Sequence, residues 1–160
     1  MMRLYIMRHG EALSQGGAER SLTPRGETEV ARAGRLLAGE GIDCLLHSPA
    51  LRTRQTASLV LDAVGDIPHA VEESLVPPTG WQRVADAAES TGADRLVLVS
   101  HLPLVAELVG WFTGGHPADY ALPGYPSGGI VTLDMELCGR GMAELSWYAF
   151  PPAYERRSVT

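Results

Sequence analysis

Short apolar runs alternate with stretches of helical period along this chain, and that alternation limits it to few architectures. Arg3-Leu4-Tyr5-Ile6-Met7, Ile42 to His47 and Arg95-Leu96-Val97-Leu98-Val99 read as strands, with a shorter one at His69 to Val71. The run from Arg95 is apolar throughout, as a central strand of a parallel sheet must be. Helical stripes lie between them: Val30, Ala33, Leu36 and Leu37; then Leu51, Ala57, Val60, Leu61 and Val64; then Trp81, Val84, Ala85 and Ala88; then Val105, Leu108, Val109 and Phe112. Strands alternating with helices predict a mostly parallel sheet covered on both faces, a three-layer α/β/α domain. Gly129 to Met135 and Ala143 to Phe150 alternate apolar and polar residues around Gly139 and Gly141, and predict a C-terminal antiparallel hairpin. At 160 residues, a single domain over 1–160 is expected.

Helix ends are signalled locally. Thr23-Pro24 is an N-cap followed by Pro at the first helical position. Ser48-Pro49 repeats that pattern, and Thr79 with Gln82 forms a potential capping box. Leu102-Pro103 opens the fourth helix. Gly39, Gly41, Gly92 and Gly114-Gly115 supply stops. His116 to Ser127, rich in Pro and Gly, reads as a long loop, and the tail from Pro151 as an irregular cover.

The net charge of -6 argues against nucleic acid and anionic membranes as partners, since both select a basic face. No apolar run approaches the ~18 residues of a membrane span. Arg8 interrupts the N-terminal apolar stretch too early for a signal peptide. Cys44 and Cys138 have no pairing signature, and Cys44 reads as a small core residue. A cytoplasmic protein is expected.

In an open α/β sheet, ligands bind outside the carboxyl ends of the strands. Here the first strand exits at Arg8-His9, the second at Ser48 with Arg52 one turn on, the third at Glu72-Glu73 and the fourth at Ser100-His101. Two Arg, two His and a carboxylate pair are thereby directed to one edge. Arg52 and Arg54 also sit in a first helical turn, where a cation opposes the macrodipole. Two guanidiniums in one small site repel each other, but together they suit a phosphate dianion, which Arg grips through a planar fork. A neutral imidazole can attack phosphorus and split one displacement into two. Singly, each residue has a plainer reading: a histidine at a strand exit is usually a hydrogen-bonded boundary residue, and a helical Arg usually faces solvent. His47, His69 and His116 are left in that category. Convergence of the exits separates the others from it.

Several of these stretches resemble one family. Ile6-Met7-Arg8-His9-Gly10-Glu11 is similar to the Arg-His-Gly signature of the histidine phosphatase, or phosphoglycerate mutase-like, superfamily. Leu22-Thr23-Pro24-Arg25-Gly26 resembles its Leu-Thr-x-x-Gly helix start. Ser48 to Ala57 is similar to its Ser-Pro-x-x-Arg-x-x-Gln-Thr-Ala block, and Val97 to His101 resembles its second-histidine strand. His101-Leu102-Pro103-Leu104-Val105 and the compact length look most like the small SixA-type phosphohistidine phosphatases.

The resemblance implies His9 as nucleophile and Arg8, Arg52 and His101 as the phosphate pocket, with Leu102 beside it. It implies no metal and no cofactor. Glu73, or its neighbour Glu72, falls where larger relatives carry a catalytic acid. The implied substrate is a phosphorylated protein, such as a histidine-phosphorylated signalling domain. Alternatives are a small phosphoester, a mutase reaction disfavoured by the short chain, and a non-catalytic phospho-ligand binding module. A two-histidine metal site is disfavoured by the adjacent Arg pair.

Overall fold

In a computed structural model, which describes residues 1–116 and 124–158, the sheet has six strands in the order β3-β2-β4-β1-β5-β6. The elements are β1 Met2–Arg8, α1 Pro24–Ala38, β2 Cys44–His47, α2 Leu51–Val64, β3 His69–Val71, α3 Trp81–Ser90, β4 Arg95–Ser100, α4 Leu104–Gly114, β5 Ile130–Met135 and β6 Ala143–Ala149. The first four strands are parallel where they pair. β5 runs antiparallel to β1, and β6 closes the expected hairpin with it. The mostly parallel α/β architecture is thus the one the alternation predicts. The Pro/Gly-rich stretch from His116 falls largely on 117–123, outside the described residues.

Strand pleating sorts side chains between two apolar layers. Leu4 and Ile6 of β1, with Leu46, Leu96 and Leu98, lie under α3 and α4, which contribute Val84, Ala88, Leu104, Leu108 and Phe112. Tyr5 and Met7, with Leu45, Val97 and Val99, lie under α1 and α2, which contribute Val30, Ala33, Leu37, Ala57 and Val60. Each such side chain taken fully from water contributes roughly 1.5–3 kcal/mol. β4 and β1 are central, so both of their faces are consumed by this packing. Their ends are what remains for chemistry. Among the described residues, no helix is long and apolar enough to cross a membrane.

The Thr23 cap is present: its hydroxyl accepts from the Gly26 amide at 3.0 Å. Two other caps are not. α2 begins at Leu51 with Ala50 at the cap position, which offers no side-chain acceptor. Ser48 lies two residues too early, and its buried hydroxyl is drawn to other groups described below. α3 begins at Trp81 behind Gly80, so the capping box of Thr79 and Gln82 does not form. The Thr79 hydroxyl instead donates to the Val76 carbonyl at 2.7 Å, closing the turn that contains Pro77-Pro78.

Candidate active site

Parallel pairing brings the strand exits together. Arg8 pairs with Ser100 across β1 and β4, and the His9 amide donates to the Ser100 carbonyl at 3.0 Å. On the other side of β4, the Ser48 amide donates to the Val99 carbonyl at 3.2 Å. His9, His101 and Ser48 therefore leave three adjacent strands at one level. The two imidazole centroids are 5.4 Å apart. Arg52 reaches the same place from the first turn of α2, with a terminal nitrogen 3.1 Å from Nδ1 of His101.

The loop that carries His9 is pinned by residues whose importance is structural. The Gly10 amide donates to the Thr56 hydroxyl at 3.1 Å, and the Leu22 amide to the Gln55 side chain at 2.8 Å. The Thr23 hydroxyl donates to the Glu11 carboxylate at 2.8 Å. A Cβ on Gly26 would lie 2.2 Å from the Glu11 carbonyl oxygen, so only glycine lets the first turn of α1 press against this loop.

Hydrogen bonding assigns the tautomers. A carbonyl can only accept, so the 2.7 Å contact between His9 Nδ1 and the Gly10 oxygen places the hydrogen on Nδ1. Nε2 of His9 is left with its lone pair. A guanidinium can only donate, so His101 Nδ1 accepts from Arg52. His101 Nε2 then carries the hydrogen and donates to the Ser48 hydroxyl at 2.6 Å. Ser48 in turn lies 2.7 Å from the Thr53 hydroxyl. Thr53 donates onward to backbone carbonyls of Ser48 and Ala50, both at 2.8 Å. Burial pushes the His9 imidazole down to about 4, and nearby His101, Arg52 and Arg8 act in the same direction. His101 is likewise lowered to about 4, by burial first and then by Arg52, Arg20 and Arg8. Both rings are neutral near pH 7, as a nitrogen nucleophile must be.

Neither Arg8 nor Arg52 has a carboxylate partner among the described residues. Arg8 donates to the Tyr125 carbonyl at 2.9 Å, while its buried Nε has no partner. Nε of Arg52 is also buried and unpartnered. Burial lowers the pKa of each guanidinium, and for Arg52 the charge of Arg20 adds to this. Orphaned donors of this kind, beside a cleft, call for an acceptor from outside the chain. The cleft has a volume of about 420 Å³; Arg52 and His101 form its polar end, and Leu102, 41% exposed, lies on its rim.

Glu73 is not brought to this group. It stands exposed on a 3-10 turn, Glu73–Leu75, and takes no part in the hydrogen bonds that link the histidines. Glu72 accepts from the Ser74 amide at 3.0 Å and so caps that turn. The turn itself crosses to β4, where the Leu75 carbonyl accepts from the Ser100 hydroxyl at 2.6 Å, but it turns Leu75 inward and leaves Glu73 exposed. Arg54 is exposed on the outer side of α2. Two participants were not evident from the sequence. Ser48 resembled a helix cap, yet it orients His101. Arg20 sat in a polar loop, yet it donates to the Gly17 carbonyl at 3.2 Å, the carbonyl that Arg52 approaches at 3.5 Å.

Comparison with known proteins places the chain among relatives of known family. Residues 4–76 match the histidine phosphatase superfamily (branch 1). The phosphohistidine phosphatase SixA homolog of Haemophilus influenzae is 31% identical over 123 residues, covering 68% of this chain and 75% of that protein. The chain belongs to the histidine phosphatase superfamily. Phosphohistidine phosphatase SixA of Escherichia coli is 29% identical over 94% of both chains. The structure of the protein histidine phosphatase SixA complexed with tungstate superposes with a TM-score of 0.79 at 28% identity, covering 92% of this chain and 96% of that one. A 35% identical match to the probable phosphoglycerate mutase GpmB of Erwinia tasmaniensis spans only 33% of that protein. The chain is a histidine phosphatase-type hydrolase, acting on a phosphorylated protein or a phosphoester.

Proposed function

We propose that the enzyme dephosphorylates phosphohistidine in a protein, through covalent transfer of the phosphoryl group to Nε2 of His9. The observation that carries this reading is the tautomer lock. Nδ1–H of His9 is held by the Gly10 carbonyl, and the other nitrogen keeps its lone pair in a site whose two guanidiniums meet no carboxylate among the described residues. Arg8 and Arg52 would hold the equatorial phosphoryl oxygens, and His101, kept in place by Ser48, would hold a third position on the same group. As the P–Nε2 bond forms, the bond to the substrate nitrogen breaks, and that ring takes its proton from water. Water then attacks phosphorus, the P–Nε2 bond breaks, and inorganic phosphate leaves with His9 restored.

Among the described residues, no carboxylic acid hydrogen-bonds either histidine, which favours a leaving group that departs without a strong acid. A positioned general acid typically supplies ~10²–10⁴-fold, which an alkyl phosphate would lose here. The likeness to SixA proteins over nearly the whole chain supports the same substrate class, and a cytoplasmic location fits it. The test is kcat/KM across a phosphohistidine protein, aryl phosphates of graded phenol pKa and an alkyl phosphate, with Glu73→Gln in parallel. A steep series headed by phosphohistidine is expected, unchanged by the substitution. A flat series that steepens in Glu73→Gln would instead make the enzyme a general phosphomonoesterase with Glu73 as its acid.

A further inference from the structure

Arg52 and His101 of the proposed phosphoryl site also line a cleft with an uncharged side. Beyond Arg52 and His101, its walls are Pro49, Ala50, Val76, Pro77 and Leu102. They come from three separate chain segments: the turn before α2, the segment after the Glu73–Leu75 turn, and the residue after His101. Val76 and Leu102 are 40% and 41% exposed, although both are large and apolar. The segment that could have delivered an acid to the histidines delivers Val76 and Pro77 instead. Two of the walls are proline rings, whose backbone φ is fixed.

A phosphorylated substrate must place its phosphoryl group between the arginines and lay the rest of itself along these walls. A carboxylate or ammonium there would lose water against Pro, Val and Leu with nothing to replace it. A flat neutral ring would lose little and gain apolar contact area. At about 420 Å³, the cleft lies near the lower end of the ~300–1,000 Å³ common for small-ligand sites, room for a phosphoryl group and one ring.

We infer that Val76, Pro77, Leu102 and Pro49 form a leaving-group subsite that selects a phosphoryl group carried on an uncharged planar ring, such as imidazole or a phenol, over one carried on a charged aliphatic. This deepens the phosphatase reading above and rests on it for the place of the phosphoryl group. Val76 and Leu102 are the specificity-determining residues, and neither has a polar side-chain group to hold the phosphoryl oxygens.

Binding of two non-hydrolysable arylphosphonates tests this directly. The para substituent is carbamoyl in one and carboxylate in the other, so shape is nearly constant while charge differs. By calorimetry the wild type should prefer the carbamoyl compound by about tenfold, and Val76→Lys should erase that preference. Val76 is exposed, so the substitution leaves the core untouched. Equal binding of the two phosphonates by the wild type, or a preference that Val76→Lys does not move, would overturn the subsite. Turnover of the matching aryl phosphates reports separately on His9. Absent turnover with the binding preference intact would strike the phosphatase reading and leave the subsite standing.

Discussion

β1 carries an arginine near each end, and the two ends are treated in opposite ways. At its start, Arg3 makes bonds of 2.7 and 2.9 Å to the Asp134 carboxylate. Beside it the buried carboxylate of Glu40 lies 3.6 Å from both Arg3 and Arg95 and 2.5 Å from Arg156, and it accepts from the Tyr5 hydroxyl at 2.7 Å. Every guanidinium there meets an acid supplied by the chain. At the far end, among the described residues, Arg8 and Arg52 meet imidazole and carbonyls only, and a buried Nε of each has no partner. Both are clusters of arginine at strand ends. The first is closed by carboxylates of the chain, so it holds the fold. The second is left positive, which suits a phosphoryl dianion.

The contrast can be broken most strongly at Arg52. Arg52→Ala should lower kcat/KM by ~10²–10³ and leave the melting temperature nearly unchanged, whereas Arg95→Ala should do the reverse. Steady-state kinetics and thermal melts on both variants decide it. Equal kinetic losses would erase the distinction between the two ends.

Glu40→Gln comes next. It leaves three guanidiniums without their shared acceptor, and should cost about 2–3 kcal/mol in urea unfolding, less than a fully buried pair because Arg95 and Arg156 reach solvent. Activity per folded molecule should not change.

Acid should act through the histidine end. His9 and His101 titrate at about 4 in the folded chain and near the ordinary 6.5 once unfolded. The unfolded chain therefore takes up protons first, and stability falls as pH drops from about 6.5 towards 4. At pH 5.5 this amounts to on the order of 1 kcal/mol for each histidine. Phosphate, which offsets the arginine charge, should raise the His101 pKa and reduce the loss. Unfolding curves across that pH range, with and without phosphate, check both signs.

The smallest effect concerns a residue whose sequence context misled. Ser48→Ala removes the acceptor for His101 Nε2–H and should slow turnover by roughly five- to tenfold, the scale of one hydrogen bond. Nitrogen NMR of His101 should show a mixture of tautomers in the variant.

That misreading shows what was legible in the chain. Periodicity and cap chemistry are local, so the elements, the Thr23 cap and the direction of each strand exit could be read from neighbouring residues. Ser48-Pro49 has the local form of a helix start, but the hydroxyl is claimed by a histidine 53 positions away. Glu73 follows a strand whose exit points to the right edge, yet which residue of the following turn faces inward is set by the contact of Leu75 with Ser100, and no local pattern encodes it. Glu40 and Arg20 carried no signal, because their partners arrive from distant segments.

Catalysis through His9 requires the phosphoryl group to reach that residue first. Rapid acid-free quenching of wild-type enzyme with labelled aryl phosphate, followed by peptide mapping, locates it. Acid-labile phosphate on His9, absent from His9→Ala at unchanged fold, is the predicted result. Label on His101, or turnover retained by His9→Ala, would contradict it.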